Sequence, residues 1–131
     1  MSRPRELFFD TTALVDIYRG RTEIKPFFDA VAAGKLQPYI SVITEAELWR
    51  GIKLEEMKLH EALLSHFVII PLQSEMARLA GAWMQRYAST GLGWMDALIA
   101  ATAKAANLSL LTRDRRLTEV LAPEVGFEIY G

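Results

Sequence analysis

With 131 residues, a formal net charge of −1 and no cysteine, the chain has the size of one compact domain over residues 1–131; it excludes disulfide frameworks and thiolate metal sites, and its charge argues against a broad basic surface that grips nucleic acid by charge alone, while leaving room for local basic clusters. No apolar run approaches the ~20 residues of a membrane-spanning helix. Arg3, Arg5 and Glu6 precede too short an apolar run for a signal peptide, so a cytoplasmic protein is expected.

Residues 6–10 read as a buried strand, Glu6-Leu7-Phe8-Phe9, that stops on Asp10. Thr11 to Arg19 reads as a helix, with Leu14, Val15 and Tyr18 at spacings of three and four, closed by Gly20. A second helix is expected from Pro26, a favoured first helical residue, to Gly34, a favoured residue just past an end. Pro38 to Ile43 is the next strand, after which Thr44-Glu45-Ala46-Glu47 opens a helix carrying Leu48, Trp49 and Ile52. Leu54 to His66 is amphipathic and helical, and Phe67 to Leu72 is rich in β-formers. Met76, Leu79, Ala80, Trp83, Met84 and Tyr87 form the clearest helical stripe, broken at Thr90-Gly91-Leu92-Gly93. Asp96 to Ala106 is a helix so rich in Ala, Leu and Ile that burial is expected. Leu108 to Thr112 reads as a strand, Arg115 to Leu121 as a short helix and Val125 to Tyr130 as a last strand. This alternation predicts the α/β class: a parallel sheet of about five short strands covered on both faces.

Four acids fall at strand ends or helix starts. Asp10 ends the first strand, where open parallel sheets bind ligands, but it also suits a plain N-cap. Thr44 and Glu47 fit the S/T-x-x-E capping box, while Glu45, out of phase, reads as a solvated carboxylate. Asp96 heads a stripe continued by Ile99, Ala100 and Ala103, with no Lys or Arg on that face within two turns. A carboxylate pushed inward there needs a cation, a hydrogen-bond donor or a raised pKa. Asp114 follows the Leu108–Thr112 strand and again allows a cap. His60 and His66 read as surface or partly packed residues, Asp16 and Asp29 as solvated helix faces, and the stripe around Trp83 as core or a subunit contact. Thr11, Thr12 and Thr112 carry hydroxyls that could orient the carboxylates.

In a parallel sheet the strand ends near residues 10, 43 and 112 lie along one edge, and the start of the Asp96 helix can reach it. Four carboxylates meeting there would repel one another by several kcal/mol unless cations intervene. Hard oxygen ligands suit Mg²⁺ or Mn²⁺ rather than zinc, and phosphodiester hydrolysis is the reaction such a site serves best.

The runs Phe9-Asp10-Thr11-Thr12-Ala13-Leu14-Val15, Ser41-Val42-Ile43-Thr44-Glu45-Ala46-Glu47-Leu48, Asp96-Ala97-Leu98-Ile99-Ala100-Ala101-Thr102-Ala103 and Leu111-Thr112-Arg113-Asp114, in this order and spacing, resemble the PIN-domain nucleases and, within them, the VapC-type toxins of toxin–antitoxin pairs. The resemblance implies an α/β/α sandwich, Mg²⁺-dependent endoribonuclease activity with Mn²⁺ as a substitute, and metal-binding acids at Asp10, Glu47, Asp96 and Asp114. It also implies a small antitoxin that blocks the site, and a homodimer, for which a 51% hydrophobic composition leaves room. The family often has Asn where Thr12 stands, a departure at a supporting position. Arg50, Arg113 and Arg115 are the expected phosphate contacts.

Two other classes compete. A phosphotransfer domain would phosphorylate a strand-end Asp, but the phosphatase pattern needs a second Asp where Thr12 stands, and no Lys clearly fits the role a receiver requires. A PIN-like module that holds RNA or protein without cutting is the other, and the presence of all four acids argues against it.

Overall fold

The apolar run after Arg5 becomes β1 (Arg5–Phe9), the middle strand of the sheet in the computed structural model, which describes residues 3–131. The other strands are β2 (Leu36–Ser41), β3 (Val68–Ile70), β4 (Leu110–Thr112) and β5 (Phe127–Ile129). They lie in the order β3-β2-β1-β4-β5, and every pair is parallel. Between them run α1 (Thr11–Tyr18), α2 (Lys25–Ala32), α3 (Val42–Gly51), α4 (Met57–Leu64), α5 (Ser74–Arg86), α6 (Trp94–Ala105) and α7 (Arg115–Leu121).

Alternation along β1 divides the interior into two cores. Leu7 and Phe9 face one side, where Leu14 of α1, Val31 of α2, Leu48 of α3 and Leu63 and Leu64 of α4 pack on them. Phe8 faces the other, against Met76, Ala80 and Trp83 of α5, the alanines and Ile99 of α6, and Leu117 and Leu121 of α7. A helix of alanines can lie close to both a sheet and its neighbours, and Ala97, Ala100, Ala101 and Ala103 are fully buried. The result is the expected three-layer α/β/α arrangement.

The elements fall where the periodicity places them, with shorter strands and shifted ends. The second strand stops at Ser41, not Ile43, because the Ser41 hydroxyl accepts the amide of Ile43 at 3.0 Å and caps α3 there. The capping box expected of Thr44 and Glu47 therefore does not form: both already lie inside the helix. The Asp96 helix starts at Trp94 after Gly93, which puts Asp96 in its first turn.

The strand order reverses between β1 and β4. In open parallel sheets the crevice for a ligand opens at that switch, outside the carboxyl ends of the two strands. Asp10 follows β1 at this point, and Asp114 follows β4.

Candidate active site at the carboxyl ends of the central strands

Asp10 caps α1 from a buried position, with 3% of its surface exposed. Oδ1 accepts the amide of Thr11 at 2.8 Å, and Oδ2 accepts the hydroxyls of Thr112 at 2.7 Å and Thr12 at 3.1 Å. Burial pushes the carboxyl above the usual value, the hydrogen bonds from Thr112, Thr11 and Thr12 pull it down, and the charge of Asp114 adds to the rise. A group fixed this way keeps one orientation.

Glu47 projects from the second turn of α3 and is exposed. The Thr11 hydroxyl donates to its Oε1 at 2.7 Å and lies 2.9 Å from the hydroxyl of the buried Thr44. Thr11 thus ties Glu47 to the turn that begins at Asp10. Asp114 caps α7, its Oδ1 accepting the amide of Leu117 at 3.0 Å, while its own amide donates to the Thr112 hydroxyl at 3.0 Å.

Asp96 is half-buried on α6, and its carboxyl is pushed up to about 6. Burial is the largest cause, followed by the negative charges of Asp10, Asp114 and Glu47. The charges of the other three sequence-predicted acids thus all act on Asp96. Among the described residues no three acids or histidines are already drawn close enough to hold an ion as they stand. Beside Asp96 and Asp114 opens a cavity of about 160 Å³, floored by Leu92, Leu117 and Val120 and rimmed by Thr90 and Arg116.

The arginines stand in different surroundings. Arg50 is exposed at the end of α3, one turn beyond Glu47. Arg115 is exposed and donates to the Gly131 carbonyl at 3.0 Å. Arg113, expected among the phosphate contacts, spends Nε and one terminal nitrogen on Asp16, at 2.8 and 3.3 Å.

Asp16 is not the solvated helix residue that its sequence position suggested: it is fully buried. It also accepts the Tyr130 hydroxyl at 2.7 Å and pairs with Arg21 at 3.3 Å. Burial alone would raise its pKa, but the hydrogen bonds from Arg113 and Tyr130 and the charges of Arg113 and Arg21 outweigh it and hold the carboxyl below its ordinary value. A signal was present in the sequence. Ala13, Leu14, Val15, Ile17 and Tyr18 surround Asp16 on α1, leaving no broad polar face.

His60 is also fully buried, whereas His66 is exposed as expected. The Tyr18 hydroxyl bonds His60 Nδ1, and the His60 ring meets Trp49 edge-on at 4.5 Å between centroids. Glu45, half-buried rather than solvated, acts on this ring with its charge.

The chain is similar to known proteins over most of its length. The PIN domain family model matches residues 7–121. Ribonuclease VapC10 of Mycobacterium tuberculosis is 35% identical over 109 residues, spanning 81% of this chain and 80% of that protein. Ribonuclease VapC19 of the same organism is 31% identical over 109 residues, 82% of this chain and 87% of its own length. Among solved structures, a toxin-antitoxin complex from Klebsiella pneumoniae is 34% identical with a TM-score of 0.70, covering 93% of this chain and 95% of that one. DNA-bound VapBC from Salmonella typhimurium has a TM-score of 0.78 at 23% identity, covering 95% and 98%, a likeness of fold. A family match running from β1 through α7 and relatives above 30% identity lead to one assignment: the chain belongs to the PIN-domain family, within which it is similar to the VapC ribonucleases.

Proposed function

We propose that this protein is a metal-dependent endoribonuclease, the toxin of a toxin–antitoxin pair, that hydrolyses RNA phosphodiesters at Asp10, Glu47, Asp96 and Asp114. The observation that carries the reading is Asp96, a half-buried acid pushed up to about 6 by its burial and by the charges of three other carboxylates. Such a cluster is relieved by a divalent cation, and its donors are all hard oxygens. They fit Mg²⁺, with Mn²⁺ as a substitute, better than zinc. When bound, the cation would polarise the phosphodiester and favour attack by water.

The chain's own residues do the rest. Asp10, gripped through both oxygens, presents a fixed charge. Thr11 steers Glu47, and Thr112 sets the turn that carries Asp114. Asp96, whose carboxyl is pushed up to about 6, would give up its proton to make room for the cation. Arg50 and Arg115 contact flanking phosphates and hold the RNA across the crevice.

The partner in this reading is a small antitoxin, as in the Klebsiella pneumoniae complex. A groove of about 410 Å³ lies beside Glu47, lined by Val15, Leu48, Ile52 and Leu59 together with Glu56 and Arg19. It suits an amphipathic segment bearing a Lys or Arg that would reach the cluster and replace the cation's charge. A homodimer belongs to the same proposal, with Trp94 and Met95, both about half exposed, as apolar surface for a second copy.

The deciding experiment is cleavage of a mixed cellular RNA pool by purified protein in Mg²⁺ or Mn²⁺, with an EDTA control and an Asp96→Asn variant prepared identically. Cleavage that needs metal and vanishes in the variant is the expected result. Equal cleavage by the variant would refute the assignment of Asp96, and failure of both proteins to cut would favour the non-cutting binding module. Labelling of Asp10 by acetyl phosphate would instead favour phosphotransfer.

A further inference from the structure

Asp10 and Asp16 are the two fully or almost fully buried acids among the described residues, and only Asp10 has a part in the proposed chemistry. Asp16 sits on the same short helix, six positions after the Asp10 cap. It takes both nitrogens of an Arg113 fork, and Arg113 directly precedes Asp114. It also takes the hydroxyl of Tyr130, which follows β5. One buried carboxylate therefore joins α1, the β4–α7 turn and the end of the chain.

Stabilisation alone does not account for this arrangement. The pair is buried on the Asp16 side only, and removing that carboxylate from water offsets much of its attraction to the partly exposed Arg113. What the pair supplies is direction, since a guanidinium that donates through two nitrogens is fixed in plane and in rotation. The turn is held at its other end as well: Thr112 is bonded to Asp10 and to the amide of Asp114. The three-residue turn 112–114 is thus pinned twice to the element that carries Asp10.

We propose that Asp16 is a positioning residue: through Arg113 it sets the Asp114 carboxylate relative to Asp10, and with it the affinity of the acid cluster for a divalent cation. This rests on the cation-binding reading above. Arg113 acts as the arm, Tyr130 closes the buried side, and the guanidinium charge is matched before it can compete for the acids.

The test is a double-mutant cycle on the full, metal-free chain, read by Mn²⁺ calorimetry and by amide hydrogen exchange at Asp114 and Leu117. Asp16→Asn is expected to weaken Mn²⁺ binding about 10-fold, as loss of an outer partner does, and to speed exchange at both amides. In an Asp114→Asn background the same change should weaken binding no further. Tyr130→Phe should act in the same direction to a smaller extent, and it carries the cycle if Asp16→Asn does not fold. A variant that melts earlier but binds Mn²⁺ and exchanges like the parent overturns the proposal, as does an equal loss in the Asp114→Asn background. A parent that binds no Mn²⁺ overturns the cation reading itself, and exchange at Asp114 then still decides whether the brace exists.

Discussion

The hydroxyl of Thr112 donates to Asp10 Oδ2 at 2.7 Å while it accepts the amide of Asp114, so a single side chain on β4 links the first and the last of the four acids. Thr112→Val keeps the shape and removes both bonds. It should lower stability by about 1–3 kcal/mol, the usual loss when a buried polar partner is left unmatched. Mn²⁺ affinity should fall about 10-fold. Thr112→Ser restores the hydroxyl and should recover both, as read by urea unfolding and calorimetry.

Asp96 makes the metal-free protein sensitive to pH in a defined direction. Its folded pKa of about 6 lies above the ordinary 3.8, so the native state holds a proton that the unfolded chain has released. Its contribution is full below about 3.8 and is lost as pH rises through about 6. Asp96→Asn should therefore stabilise the metal-free protein at neutral pH, by about 1–2 kcal/mol after allowance for partial exposure, and the gain should vanish in acid. Thermal melts of the two proteins against pH check this. In the cleavage assay the Mg²⁺ concentration needed for half-maximal activity should rise as pH falls through about 6, because protons and the cation compete for Asp96.

His60 acts in the opposite sense. Burial holds its pKa below the ordinary 6.5, against smaller upward pulls from Glu45 and Glu61, and its Nε2 has no hydrogen-bond partner among the described residues. The unfolded chain thus takes up the proton first, so stability is full above 6.5 and drains as pH falls through the folded value. A His60→Leu variant should show a flatter decline than the parent in urea midpoints from about pH 7 to about pH 5.

Arg50→Ala should weaken RNA binding evenly across sequences and reduce the slope of log affinity against log salt by about 1. Asp29→Ala, on the exposed face of α2, is a control expected to leave both unchanged. An unchanged slope in Arg50→Ala would remove Arg50 from the phosphate path. Filter binding with the uncleaving Asp96→Asn protein gives the measurement without loss of substrate.

The order and type of the elements were legible because each strand is a short apolar run and each helix has its stripe. The strand ends were less so. Ser41 could have continued β2, and only its hydroxyl turning back to the Ile43 amide decides that α3 begins at Val42. The four acids were legible as a set through their positions after strands and at helix starts. Their supports were less visible, since Thr44 and Asp16 gain their meaning from partners 33 and 97 residues away. Local spacing made Thr44 a helix cap and Asp16 a solvated residue. The Ser41 cap, three residues earlier, reversed the first, and burial by elements distant in sequence reversed the second.

The position of β4 beside β1 has a bearing on the protein's own synthesis. A chain leaving the ribosome from its N-terminus can complete β1, β2 and α3 early, and with them Asp10 and Glu47. The strand that brings Thr112 and Asp114 emerges about 100 residues later, yet pairs with the first. A nascent chain of this topology would carry half a site until residue 114 has left the ribosome, so the cluster of four acids forms only after β4 has docked beside β1.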